Sequence, residues 1–218
     1  MGWLSVNVNF SNREVLLVGA GQVGLRKLAD LLAVGARVKV IEPKRDPYLT
    51  DLANKGAITL ENQFEEGFLD ARPWVFVAVD DPAEAKAISA MASARGLMVN
   101  VADRPGECGF IMPALVDDPP FRVAVSTGGN SPALSARVAR ELRLAYAGYG
   151  ALAALLGRLR PLIMNSGLGP GERKSMFKAL AEDRSLAGLL AGGDAAALRE
   201  ALRKRLDPVE VPPGFPLT

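Results

Sequence analysis

The sequence predicts an α/β fold, in which a parallel-sheet domain is followed by a small segment of different character and then by a helical C-terminal domain. Three observations predict it. Glu14 to Gly24 reads Glu-Val-Leu-Leu-Val-Gly-Ala-Gly-Gln-Val-Gly, an apolar run without alternation that enters three glycines and gives way to Leu25, Leu28, Leu31 and Leu32 at helical spacing. Further short apolar runs, Arg37 to Ile41, Trp74 to Val79 and Leu97 to Val101, alternate with helical patterns, as parallel strands joined by crossover helices do. From Phe110 that alternation stops, and past Tyr149 leucines recur at helical spacing.

Taken in order, Leu4, Val6, Val8 and Phe10 alternate with polar residues and predict a half-buried edge strand or an extended arm. Strand, tight turn and helix follow over Glu14 to Leu32. Asp46 to Lys55 reads as helix, Ala57 to Leu60 as a short strand, and Trp74 to Val79 as a strand buried on both faces. Asp80-Asp81-Pro82 opens a helix to about Arg95; its two carboxylates admit an acid/base reading, and an N-cap with proline in the first turn accounts for them as well. Leu97 to Val101 then carries Asn100 to Pro105 to the strand ends, where ligands of open parallel sheets bind. There Asp103 is either the carboxylate that meets the ligand or a turn-forming aspartate.

Phe110 to Ala114, the turn Asp117-Asp118-Pro119-Pro120 and a strand over Phe121 to Ser126 make a separate β element. Ser126-Thr127-Gly128-Gly129-Asn130-Ser131-Pro132 is a glycine loop feeding a helix with Ser131 at its N-cap. Arg137, Arg140 and Arg143 recur on one face of that helix, as an anion site or as a solvated basic face. Leu152 to Leu162 continue at helical spacing, Asn165 to Gly171 interrupts them, and two or three shorter helices run to about Leu206. Asp207 to Thr218, with four prolines, reads as an irregular tail. The expected domains are 1–113, 114–148 and 149–218.

Composition narrows the chemistry. A chain of 218 residues, 49% hydrophobic, sustains a packed core, and a net charge of +2 makes no case for nucleic acid as the main partner. Nothing approaches the roughly 18 uninterrupted apolar residues of a membrane span. The single cysteine, Cys108, cannot close an intramolecular disulfide and no charged-then-apolar leader precedes the first strand, so a cytoplasmic protein is expected. Histidine is absent, which removes the commonest general base and metal ligand and leaves proton transfer to Asp, Glu, Lys, Tyr or Cys. No metal site is expected. None of Tyr48, Tyr146 and Tyr149 is followed four places later by lysine, which excludes the tyrosine-lysine pair of short-chain dehydrogenases.

The glycine turn has a specific physical purpose. Gly19 makes the turn, Gly21 lets backbone approach a pyrophosphate, and Gly24 lets the helix pack close to its strand, with the helix N-terminus facing the phosphate charge. The second strand ends at Glu42, whose carboxylate accepts hydrogen bonds from ribose hydroxyls and disfavours a 2′-phosphate, so the expected cofactor is NAD. A nucleotide-sensing regulatory domain would use the same turn; a dehydrogenase of another small acid would want a compact histidine- or lysine-based site.

Several stretches in order resemble the precorrin-2 dehydrogenase family of sirohaem and cobalamin synthesis, many members of which are also sirohydrochlorin ferrochelatases. They are Val-Gly-Ala-Gly-Gln-Val-Gly with Arg26-Lys27, Val79-Asp80-Asp81, Asn100-Val101-Ala102-Asp103-Arg104-Pro105, Phe110-Ile111-Met112-Pro113-Ala114 and Val125 to Pro132. The resemblance implies a Rossmann-type NAD domain, a dimerisation segment over 114–148 and a homodimer. It implies that Gly19, Gly21, Gln22, Val23, Gly24, Glu42, Pro43, Lys44, Val79 and Asp80 hold NAD, and that Asp103 is the catalytic carboxylate. Asn100, Arg104, Thr127, Gly128, Gly129, Asn130, Ser131 and Arg137 would hold a tetrapyrrole, precorrin-2 or sirohydrochlorin, with ferrous iron as a second substrate where chelation occurs; Cys108 offers a thiolate or is a small buried residue. Thr127 stands where some relatives have the second serine of Ser-Ser-Gly-Gly, so no modification of that serine carries over. Some relatives continue into a uroporphyrinogen methyltransferase, which is not expected within these 218 residues.

Overall fold

A computed structural model describes residues 2–44, 46–70 and 72–217, which fall into two compact units, Met1–Met112 and Pro113–Thr218. In the first, strands β1 (Glu14–Val18), β2 (Arg37–Ile41), β3 (Ile58–Glu61), β4 (Trp74–Val77) and β5 (Met98–Val101) alternate with helices α1 (Gln22–Ala33), α2 (Pro47–Asn54) and α3 (Pro82–Ala94). All pairings are parallel, in the order β3-β2-β1-β4-β5. The α/β parallel-sheet architecture expected from the sequence is therefore present. Val18 lies opposite Ile41 and Val77, and Val77 opposite Val101, so β2, β1, β4 and β5 end in one row along a single sheet edge.

Continuous apolar runs mean that both faces of the sheet are covered. Val15 and Leu17 pack on one face with Leu28, Leu31 and Phe76; Leu16 and Val18 pack on the other with Val75, Ile88 and Val99. Helix starts follow local chemistry: the Asp46 carboxylate accepts from the Tyr48 and Leu49 amides ahead of α2, and Asp81 accepts from the Ala83 amide at 2.8 Å ahead of α3. Asp81 is thus an N-cap, with Pro82 first in the helix.

Of the two expectations for the N-terminal alternation, an edge strand or an extended arm, the edge strand does not form. Residues 2–10 lie in no strand, and Leu4 is 85% exposed. Only Phe10 reaches the core, edge-on against Trp74 at 5.0 Å, with Trp74 in turn edge-on against Phe110 at 5.2 Å.

The second unit opens with an antiparallel hairpin, β6 (Ala114–Asp118) and β7 (Phe121–Val125), followed by α4 (Pro132–Ala145), α5 (Tyr149–Met164), α6 (Pro170–Glu182), α7 (Arg184–Gly192) and α8 (Ala195–Leu206). The hairpin and the later helices fall within the unit Pro113–Thr218. At the join, the Gly150 amide donates to the Asp118 carboxylate at 2.9 Å, and a Cβ at 150 would lie 2.2 Å from the Asp118 carbonyl oxygen. Leu155, Leu159, Ile163, Leu180, Leu186, Leu198 and Leu202 make the helical core.

The expected irregular tail is irregular and also packed. Val209 and Leu217 are buried on the helical core, Arg158 donates to the carbonyls of Pro216 and Leu217, and Arg199 donates to those of Pro212 and Phe215. Thr218, its last residue, lies outside the described residues.

Candidate active site

The three glycines of the turn do three different things. Gly19 has φ +87°, and a Cβ there would lie 2.4 Å from the Ala78 carbonyl oxygen, so β4 passes too close for any side chain. A Cβ at Gly24 would lie 2.1 Å from the Gly19 carbonyl oxygen, which is the close helix-to-turn approach expected. At Gly21 a Cβ would meet nothing within 4 Å. Protein packing therefore explains Gly19 and Gly24 but not Gly21, which borders a cleft of about 690 Å³ and leaves room for a ligand.

That cleft brings together Gly19, Gly21, Gln22, Glu42, Pro43, Lys44, Val79 and Asp80. Val23 and Gly24 do not line it, although Gln22 before them and Leu25 after them do. Glu42 ties the cleft together: its carboxylate accepts from the Ala20 amide at 2.8 Å and from the Lys44 amide at 3.0 Å. One oxygen serves each amide, leaving a lone pair on each for a further donor. Gly21 caps α1 with no side-chain hydrogen bond, so the N–H groups of the first turn remain available to an anion. The residues present fit a dinucleotide: an open glycine, an uncapped helix start and an acceptor carboxylate at the end of β2.

The end of β5 is organised differently. Asp103 is exposed in the turn leaving the strand, at φ +59°, a left-handed conformation that aspartate tolerates better than most residues and that costs about 1 kcal/mol. Asn100, expected to contact substrate, is 5% exposed, and both ends of its amide are engaged within the protein. Its Oδ1 accepts from Lys27 Nζ at 2.7 Å and its Nδ2 donates to the Phe110 carbonyl at 3.0 Å. Asn100 thus links α1 to the loop that follows β5. Arg104 donates to the Pro82 carbonyl at 3.1 Å and lies 3.7 Å from Glu107. Cys108 is half-buried, its sulfur accepting from the Val101 amide at 3.2 Å, and burial pushes its thiol pKa up. Lys27 belongs to the Arg26-Lys27 pair that follows the glycine turn, and its partner Asn100 lies far along the chain.

In the second unit the loop ahead of α4 satisfies itself. Gly128 and Gly129 have φ +62° and +85°. Ser126 Oγ accepts from the Gly128 amide, Thr127 Oγ1 accepts from the Ser131 amide at 2.9 Å and lies 3.2 Å from Ser135 Oγ, and Asn130 donates from its backbone and side chain to the Thr127 carbonyl. Ser131 Oγ caps α4 by accepting from the Leu134 amide. Arg137 pairs with Glu141 at 2.8 Å on the solvent side of α4, and Arg143 donates to the Leu115 carbonyl. The amides of Gly128, Asn130 and Ser131, three of the residues expected to hold the tetrapyrrole, are engaged within the loop.

Comparison with known proteins places this geometry. The NAD_binding_7 model, of a family described as NAD(P)-binding, matches residues 6–114, half of the chain. The chain is 36% identical over 203 residues to Siroheme synthase 1 of Aeromonas salmonicida, covering 92% of this chain and 43% of that protein. It is 36% identical over 208 residues to the siroheme synthase of Citrobacter koseri, covering 94% and 46%. It thus spans less than half the length of these curated relatives. Among solved structures, SirC, precorrin-2 dehydrogenase, superposes with a TM-score of 0.75 at 22% identity over 94% of this chain and 100% of that one, which shows a shared fold. With the family model lying over β1 to β5 and the glycine cleft they build, the chain belongs to the NAD_binding_7 family of NAD(P)-binding proteins.

Proposed function

We propose that the chain is an NAD-dependent dehydrogenase that oxidises precorrin-2 to sirohydrochlorin. The observation that carries the reading is the row of strand ends: the dinucleotide cleft lies at the ends of β1, β2 and β4, and Asp103 follows β5 on the same edge. The names of the relatives, siroheme synthases and a precorrin-2 dehydrogenase, supply the reaction such a pair serves. NAD is favoured over its 2′-phosphorylated form because, among the described residues, the cleft is lined by Glu42, Asp46, Asp80, Asp81 and Glu84 against Lys44.

Bound NAD supplies the hydride acceptor. Gly21 and the N–H groups opening α1 receive its pyrophosphate, and Glu42 accepts from the ribose hydroxyls through its remaining lone pairs. The oxidation removes one hydride and one proton from the macrocycle, giving sirohydrochlorin, NADH and a proton. Asp103 takes that proton, being the exposed carboxylate at the end of β5 in a chain without histidine. Arg104, next to Asp103 in the chain, receives carboxylate arms of precorrin-2. We extend the reading to a homodimer joined through 114–148, to a cytoplasmic place, and to ferrous iron insertion into sirohydrochlorin, in which Asp103 again receives protons.

The test mixes the protein with precorrin-2 and NAD and follows NADH formation and the visible spectrum; no NAD-dependent conversion overturns the function. Asp103→Ala is expected to keep its NAD affinity and lose about 10²- to 10⁴-fold in turnover, while unchanged turnover removes Asp103 from the mechanism. Iron incorporation no faster than the uncatalysed background leaves a dehydrogenase alone.

A further inference from the structure

We propose that Lys27 is the positioning residue of the Asp103 turn: from the middle of α1 its ammonium holds Asn100 at the end of β5 and, through it, the loop Ala102–Phe110 that carries Asp103. The proposal rests on the reading of Asp103 given above.

Lys27 Nζ donates to Asn100 Oδ1 at 2.7 Å, and the same amide donates to the Phe110 carbonyl at 3.0 Å, so one side chain joins the helix to the far end of the loop. The loop is laced back onto β5 elsewhere too. The Gly109 and Phe110 amides donate to the Val99 carbonyl, and Cys108 Sγ accepts from the Val101 amide while lying 3.3 Å from the carbonyl oxygens of Val101 and Arg104. Asp103 sits near the start of this closed loop in its left-handed turn.

The ammonium is not there for packing. It lies 5.6 Å from the centroid of Phe76, whose ring is edge-on to Phe110, among groups where an apolar side chain would pack at no electrostatic cost. Burial pushes the Lys27 pKa down, while the carboxylates of Asp103 and Asp30 act to hold its charge. A half-buried charge kept against that cost and aimed at one amide specifies a position rather than adding stability. The helix that begins at the glycine turn therefore also sets the carboxylate, and the spacing between cofactor phosphates and proton acceptor is built into one rigid element.

The test compares Lys27→Met, Lys27→Gln and Lys27→Arg with the wild type. Expected for Lys27→Met is a kcat about ten- to hundred-fold lower, with NAD affinity within about two-fold of wild type. Independently of turnover, amide hydrogen exchange over residues 101–110 of the unliganded protein should speed by about ten-fold while α3 keeps its protection. Lys27→Arg should recover most of kcat and the slow exchange. Should Lys27→Met fail to fold, Lys27→Gln carries the same measurements. Wild-type kcat and exchange in Lys27→Met and Lys27→Gln overturn the proposal; so does a loss of NAD affinity in step with kcat, or no recovery with arginine, since either makes Lys27 a general support of the fold. If the wild-type protein does not oxidise precorrin-2, the proposed function fails on that result and exchange alone decides on Lys27.

Discussion

Two glycine-rich turns lead into helices in this chain, and they differ in where their polar groups are directed. At Gly19 to Gly24 the helix start has no side-chain cap, and the stabilising carboxylate comes from the distant Glu42. At Ser126 to Ser131 the hydroxyls close on the loop itself, with Ser126, Thr127 and Ser131 each accepting from a nearby amide. Both look like phosphate or carboxylate cradles in sequence. A cradle, however, needs N–H donors that the protein has left free, and only the first turn keeps its helix start uncapped.

The largest effects should separate shape from binding within the first turn. Gly24→Ala drives a Cβ to 2.1 Å from the Gly19 carbonyl oxygen, against backbone that cannot yield as a side-chain end would. We expect a loss of about 3 kcal/mol or more in urea unfolding. Gly21→Val adds atoms to open space, so its stability should stay within about 1 kcal/mol of wild type while NAD affinity in titration calorimetry falls about ten-fold or more. Unchanged NAD binding by Gly21→Val would move the cofactor away from this cleft and undo the contrast between the two turns.

The legible parts of the fold and site were those whose causes are local. A continuous apolar run into glycine, an aspartate before a proline and a serine at the start of an arginine-bearing helix each state their structure within a few residues, and β1, the Asp81 cap and the Ser131 cap all formed. The rest depended on partners far along the chain. Leu4 to Phe10 alternates as a strand does, but alternation cannot supply a neighbour, and only Phe10 found one, in Trp74. Proline made the tail irregular, as read, yet Arg158 and Arg199 were needed to hold its carbonyls and bring Leu217 to the core. Asn100 followed the same rule. The family resemblance implied a substrate contact for it, and its amide bonds to Lys27 and Phe110.

The smallest effect is the most discriminating for the second loop. Thr127→Val removes the oxygen that accepts from the Ser131 amide and meets Ser135 Oγ, leaving a donor beside the α4 cap without its partner. A half-buried unpaired amide of this kind costs about 1–2 kcal/mol, which Thr127→Ser should largely restore. NAD affinity should not change, since Thr127 is not among the residues lining the dinucleotide cleft. If Thr127→Val instead kept its stability and lost turnover, the hydroxyl would be a substrate contact, and the second turn would bind as the first does despite its closed hydrogen bonding.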